Sequence, residues 1–114
     1  MYELTIEIDK IPSGVTVIRL RGPFTMKDIF EFQDSARSET AGPILIDLAE
    51  VPYVDSAGLG AMLGVMASCD RSGRSFGISG ACDRVKTLFQ VTRVDALIPS
   101  FESVTAADAW FAAH

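Results

Sequence analysis

The residues Val51 to Gly64, VPYVDSAGLGAMLG, place Asp55 and Ser56 directly before a glycine-broken apolar run. A serine in such a setting can attack a carbonyl, help cradle a phosphate, cap a helix or accept a phosphoryl group. A hydrolase needs its serine within G-x-S-x-G on a strand-to-helix elbow, with a histidine as base. Here Val54 stands where the first glycine belongs, and the one histidine is His114, the last residue of the sequence, where fraying is expected. A phosphate loop needs a lysine after its glycines, and none occurs from Val51 to Gly64. The run Gly58-Leu-Gly60-Ala-Met-Leu-Gly64 is one residue too long for a dinucleotide fingerprint. No His, Cys or carboxylate set has metal-ligand spacing. The residues therefore predict no enzyme, no metal and no cofactor.

Two readings of Ser56 remain. In the first, Asp55 or Ser56 caps a helix by accepting from an amide one turn on. That explains one of the two residues and leaves the glycines unexplained. Each glycine inside a helix costs roughly 0.8 to 1 kcal/mol against alanine, so three cost about 3. On a helical projection Ala57, Gly60, Ala61, Gly64 and Ser68 share one side nearly free of bulk, suited to close approach by the sheet or by another protein. Sheet packing is the expectation for Gly64. Gly58 and Gly60, in the first turns, are expected to leave Ser56 exposed and reachable.

The elements that hold this stretch follow from hydrophobic patterning. Tyr2, Leu4, Ile6 and Ile8 alternate with polar residues, the period of a half-buried strand. KIPSG makes a turn into VTVIRLRG, so the first two strands form a hairpin. Thr25 to Asp28 reads as a capping box opening a helix, with Met26, Ile29, Phe30, Phe32 and Ala36 as its apolar side. ILIDL, Ile44 to Leu48, is short, nearly all apolar and bounded by prolines, as in a central strand covered on both faces. After Gly58, the residues Leu59, Met62, Leu63 and Met66 recur at i, i+3, i+4 and i+7 in a helix running to about Arg71. SFGIS is a further strand, and Val85, Leu88 and Phe89 mark a helix after Asp83. SFES is a weak edge strand. Thr105 to Asp108 is a second capping-box pattern, opening a last helix with Trp110 and Phe111. The order β-β-α-β-α-β-α-(β)-α predicts one α/β domain over residues 1–114: a mixed sheet of four to five strands, a hairpin followed by parallel βα units, covered by about four helices.

Composition bounds the partners. A chain 48% hydrophobic and 22% charged is that of an ordinary globular domain. A net charge of -5 argues against nucleic acid and against docking on an anionic membrane. No apolar run reaches the roughly 18 to 20 residues of a membrane span, and MYELTIEIDK does not read as a signal or transit peptide. Cys69 and Cys82 form no CxxC pair and read as buried free thiols. The expectation is a soluble cytoplasmic protein.

ILIDLAEVPYVDSAGLGAML, Ile44 to Leu63, resembles the signature of the STAS domain, the family of bacterial anti-sigma factor antagonists. The similarity extends through VIRLRG, SFGISGA and VKTLFQVTRVDALIPSF, nearly the whole chain. It implies the same fold and a phospho-switch in place of an enzyme. Ser56 would be phosphorylated by a partner that is both serine kinase and anti-sigma factor. The unmodified form would bind that partner and free the sigma factor, and a phosphatase would reset the switch. The partner-binding surface implied is Phe24, Thr25, Asp55, Ser56, Ala57, Gly58, Leu59, Gly60 and Met62. One departure stands out. The acidic G-[DE]-[LIV]-D corner of many antagonists is here Gly22-Pro23-Phe24-Thr25. It leaves open a related role, as the unphosphorylated STAS docking subunit of an ATP-driven lipid transporter or of a larger signalling assembly.

Overall fold

The computed structural model describes residues 3–39 and 41–114. Tyr2, placed above on the first strand, lies outside the described residues. Five strands run β1 Thr5–Lys10, β2 Thr16–Arg21, β3 Ile44–Glu50, β4 Phe76–Ser79 and β5 Ser100–Phe101. They lie side by side in chain order, β1 antiparallel to β2 and every later pair parallel. Four helices accompany them: α1 Ile29–Arg37, α2 Ser56–Arg71, α3 Asp83–Val91 and α4 Val104–Ala113. The mixed sheet and helix number match the expectation, and SFES supplies the two-residue edge strand β5.

The sheet has two unlike faces because its strands alternate. Ile18, Leu20, Ile44, Ile46, Leu48 and Ile78 face one way, into a core closed by Phe32 of α1, Met62 and Val65 of α2, and Val85 and Phe89 of α3. Val17 and Leu45 face the other way, under Ala107 and Phe111 of α4. Right-handed crossovers between successive parallel strands put α1, α2 and α3 on one side, which leaves only α4 for the other. Buried on both faces, β3 is the apolar centre that its sequence indicates.

Near its end β3 is irregular, and this re-aims the chain toward Ser56. Arg19 pairs with Asp47 but Arg21 pairs with Glu50, so β3 carries one residue more than β2. The bulge frees the Ala49 N–H, which donates to Asp47 Oδ1 at 3.1 Å, while Arg19 Nε donates to Asp47 Oδ2 at 3.0 Å. Both carboxylate oxygens of this buried aspartate are thereby satisfied.

Four expectations are corrected. The last helix starts at Val104 with Ser103 as its cap, the Ser103 hydroxyl accepting from Ala106 N–H at 3.1 Å; Thr105 lies inside the helix. Asp108 instead accepts from the Ser13 hydroxyl at 2.6 Å, a contact across 95 residues. In the first helix only Phe32 and Ala36 are buried, while Met26 and Phe30 are 71% and 80% exposed. A short 3-10 turn, Met26–Asp28, precedes α1, and within it Thr25 N–H donates to Asp28 Oδ2 at 3.1 Å. Gly64 does not pack on the sheet: it is exposed, and a Cβ there meets nothing within 4 Å, whereas Ala61 of the same small-residue side is buried. Cys82 is exposed and only Cys69 is buried, where desolvation pushes its thiol pKa up. Alkylation at pH 8 is therefore expected to label Cys82 and spare Cys69, as peptide mapping by mass spectrometry would read directly.

Candidate functional site

The site lies at the carboxyl end of the parallel strands, the end at which open α/β sheets bind their ligands. Beyond β2 and β3 the two chains stay zipped together. Gly22 N–H donates to Glu50 O at 2.9 Å, Phe24 N–H to Tyr53 O at 3.1 Å, and Asp55 N–H to Phe24 O at 3.2 Å. Phe24 and Val54 form an isolated parallel bridge. The corner Gly22 to Thr25 and the loop Val51 to Asp55 therefore form one rigid lip beneath the start of α2.

Asp55 resolves the capping question. It is the N-cap of α2, with Oδ1 accepting from Gly58 N–H at 2.8 Å, and Ser56 is the first helical residue. The other oxygen, Oδ2, accepts from Met26 N–H at 3.0 Å. One carboxylate thus ties the first turn of α2 to the turn that opens α1, and charge-assisted bonds of this kind are the stronger ones. Ser56 is exposed, and its hydroxyl makes no hydrogen bond among the described residues. It stands where the helix dipole and unpaired first-turn amides favour an anion.

The other residues of the expected surface separate by burial. Gly60 is exposed, and Thr25, Asp55 and Ala57 are half-buried. Phe24 and Met62 are 0% exposed, and Leu59 and Gly58 are also buried, so these four cannot touch a partner directly. Their role is support. The Phe24 ring packs on Phe32 at 4.8 Å between centroids. A Cβ on Gly58 would stand 2.7 Å from Phe24 O and 3.0 Å from a Val54 methyl, so this glycine permits α2 to seat on the lip.

Gly60 behaves differently from Gly58. A Cβ there meets nothing within 4 Å, which disposes of packing against the sheet. Gly60→Ala is expected to stabilise the domain by up to about 1 kcal/mol. Gly60→Leu is expected to leave the fold intact, and thermal unfolding of both variants checks this.

Several features escaped the sequence. Met26 and Phe30 lie four residues apart on the face next to the core stripe of Ile29, Phe32 and Ala36. That stripe already satisfies i, i+3 and i+7, and this is the signal that the other two point outward. The Arg84 guanidinium lies 4.9 Å from the centroid of the Tyr53 ring, and the Cys82 thiol reaches Val51 O and Pro52 O at 3.6 and 3.7 Å. The start of α3 thereby braces the loop before Ser56. Asp28 places a carboxylate beside the Gly22 to Thr25 corner, folded back onto the Thr25 N–H.

Comparison with known proteins agrees with this fold. The chain is similar in fold to an anti-sigma factor antagonist from Mycobacterium paratuberculosis, at 17% identity and a TM-score of 0.87 over 96% of this chain and 95% of that one. It is similar to the phosphorylated form of the Bacillus cell fate determinant SpoIIAA, at 16% identity and a TM-score of 0.73 over 92% and 98%. A sulfate transporter family protein from Wolinella succinogenes matches at 24% identity and a TM-score of 0.74 over 92% and 90%. No curated protein sequence matches the chain. The family model described as STAS domain matches residues 6–107, so the chain belongs to the STAS domain family.

Proposed function

We propose that the chain is a phospho-switch of the anti-sigma factor antagonist type, with Ser56 as its phosphoacceptor. The observation that carries this reading is the division of labour at the start of α2. Asp55 takes the cap, and the adjacent hydroxyl is left exposed and uncommitted on a rigid lip. A serine needed only for capping would be engaged. The fold likeness to a protein with a phosphorylated form supports the same reading.

In the proposed step the Ser56 oxygen attacks the γ-phosphorus of ATP held by a serine kinase that is also an anti-sigma factor. The bond from that phosphorus to the β,γ-bridging oxygen breaks, ADP leaves, and a base of the kinase takes the hydroxyl proton. The unmodified form binds the kinase and releases a sigma factor, and a phosphatase restores it by hydrolysis. The chain itself performs no catalysis and works in the cytoplasm, without nucleic acid or membrane insertion. Its partner surface is Ser56, Ala57, Gly60, Thr25 and Asp55, extended by the exposed Met26 and Phe30.

A second reading, an unphosphorylated docking module, draws on the absent acidic corner at Gly22 to Thr25 and on the likeness to a transporter family protein. Incubation with each serine-kinase anti-sigma factor of the same genome and radiolabelled ATP separates the two. The switch predicts incorporation that disappears in Ser56→Ala. The docking module predicts no incorporation with any kinase.

A further inference from the structure

The Asp55–Met26 hydrogen bond ties the start of α2 to the turn before α1, and the two helices pack against each other. Between their later turns lies an open groove of about 490 Å³. Gly64 and Ser68 of α2 and Gln33 and Arg37 of α1 line it, above the buried Ile44, Ala61 and Cys69. Phe30 precedes Gln33 by three residues and so continues the same α1 stripe toward Ser56, and Met26 lies in the 3-10 turn just before that helix. Beyond the groove, on the side toward Ser56, stand these two apolar side chains, 71% and 80% exposed. The groove itself is cationic: Arg37, Arg71 and Arg74 all line it, on a chain whose net charge is -5.

Arg74 is fixed in place at this groove: its Nε donates to Gly42 O at 2.8 Å, and its Nη2 is buried without a partner among the described residues. Glu39 also lines the groove, but its carboxylate is engaged by Lys10 at 3.8 Å and by the Thr16 hydroxyl at 3.4 Å. Arg37 pairs with Asp34 at 3.3 Å on the open surface, where such pairs contribute little and exchange readily.

From these observations we infer that the α1–α2 groove receives an amphipathic helix of a protein partner, apolar where it passes Met26 and Phe30 and acidic where it meets Arg37, Arg71 and Arg74. The absence of bulk at Gly60, Gly64 and Ser68 allows the close axial approach of about 8 to 10 Å that helix packing requires. The inference builds on the proposal that this end of the domain binds a protein. It adds the partner's secondary structure and charge.

Two helix-stapled peptides of equal length test it, each with leucines along one half and differing only in glutamates or lysines along the other. Titrated into the isotope-labelled protein, the glutamate peptide is expected to shift the amides of Gly60, Gly64, Ser68 and Arg71. It should bind at least tenfold more tightly than the lysine peptide. Gly64→Leu should weaken binding tenfold or more without lowering the melting temperature, and Arg71→Glu should reverse the preference between peptides. Equal affinity for the two peptides, shifts confined to another face, no detectable binding, or indifference to both variants would overturn the inference. No kinase takes part, so this result and the phosphorylation of Ser56 fail separately.

Discussion

Ser56→Asp is expected to weaken binding to the kinase partner by a hundredfold or more, while Ser56→Ala leaves it within a few-fold of the unmodified protein. The reason is location. A carboxylate at Ser56 sits on an exposed first turn, so the domain itself tolerates it, and the dipole of α2 favours an anion there by roughly 0.3 to 1 kcal/mol. Against Asp55, at roughly 6 Å, each added charge is repelled by about 0.7 to 3 kcal/mol for effective dielectrics of 80 to 20. These opposing effects are small beside folding stability, so modification leaves the structure standing. Burying an unpaired charge beneath a docked partner is the costly event. A loss of a hundredfold corresponds to about 2.8 kcal/mol, well within that cost. Calorimetric titration of the three forms measures it. Equal affinity of all three would place Ser56 outside the interface, and loss in both variants would favour a docking module that reads the hydroxyl itself.

Phe24→Ala is expected to destabilise the domain by about 3 to 5 kcal/mol, as truncation of a fully buried phenylalanine does. At about 4 °C per kcal/mol for a domain of this size, the melting temperature falls by roughly 12 to 20 °C. The position concentrates several supports of the site. Its ring meets Phe32, its backbone bonds Tyr53 and Asp55, and its carbonyl is what a side chain on Gly58 would strike. Partner binding should fall along with stability and largely recover in Phe24→Leu, which keeps far more apolar volume than alanine, since the residue does not reach the surface. A full loss of binding in a well-folded Phe24→Leu would contradict this supporting role.

The contrast between Phe24 and Met26 shows where sequence reading stops. Strands were legible because alternation and β-branched runs have one physical meaning, and ILIDL between prolines has hardly another place than the sheet centre. The helix after Ser56 was legible from Leu59, Met62, Leu63 and Met66. Long-range contacts were not. The capping-box pattern at Thr105 and Asp108 lost to Ser103 because Asp108 is committed to Ser13, a partner no local window contains. Gly58 and Gly64 look alike in sequence, yet the first is pressed against Phe24 and the second faces open groove. Which of Asp55 and Ser56 caps α2 depended on the position of one carboxylate, and that decided the functional reading.

Phosphosite mapping by mass spectrometry, on protein purified from its native cell with phosphatases inhibited, tests the switch most directly. The expected result is a single major phosphate on the tryptic peptide containing Ser56, with fragment ions placing it on that residue, and its absence in a strain carrying Ser56→Ala. Phosphate found only at other residues, or a Ser56 peptide that is always unmodified while the kinase is active, would contradict it.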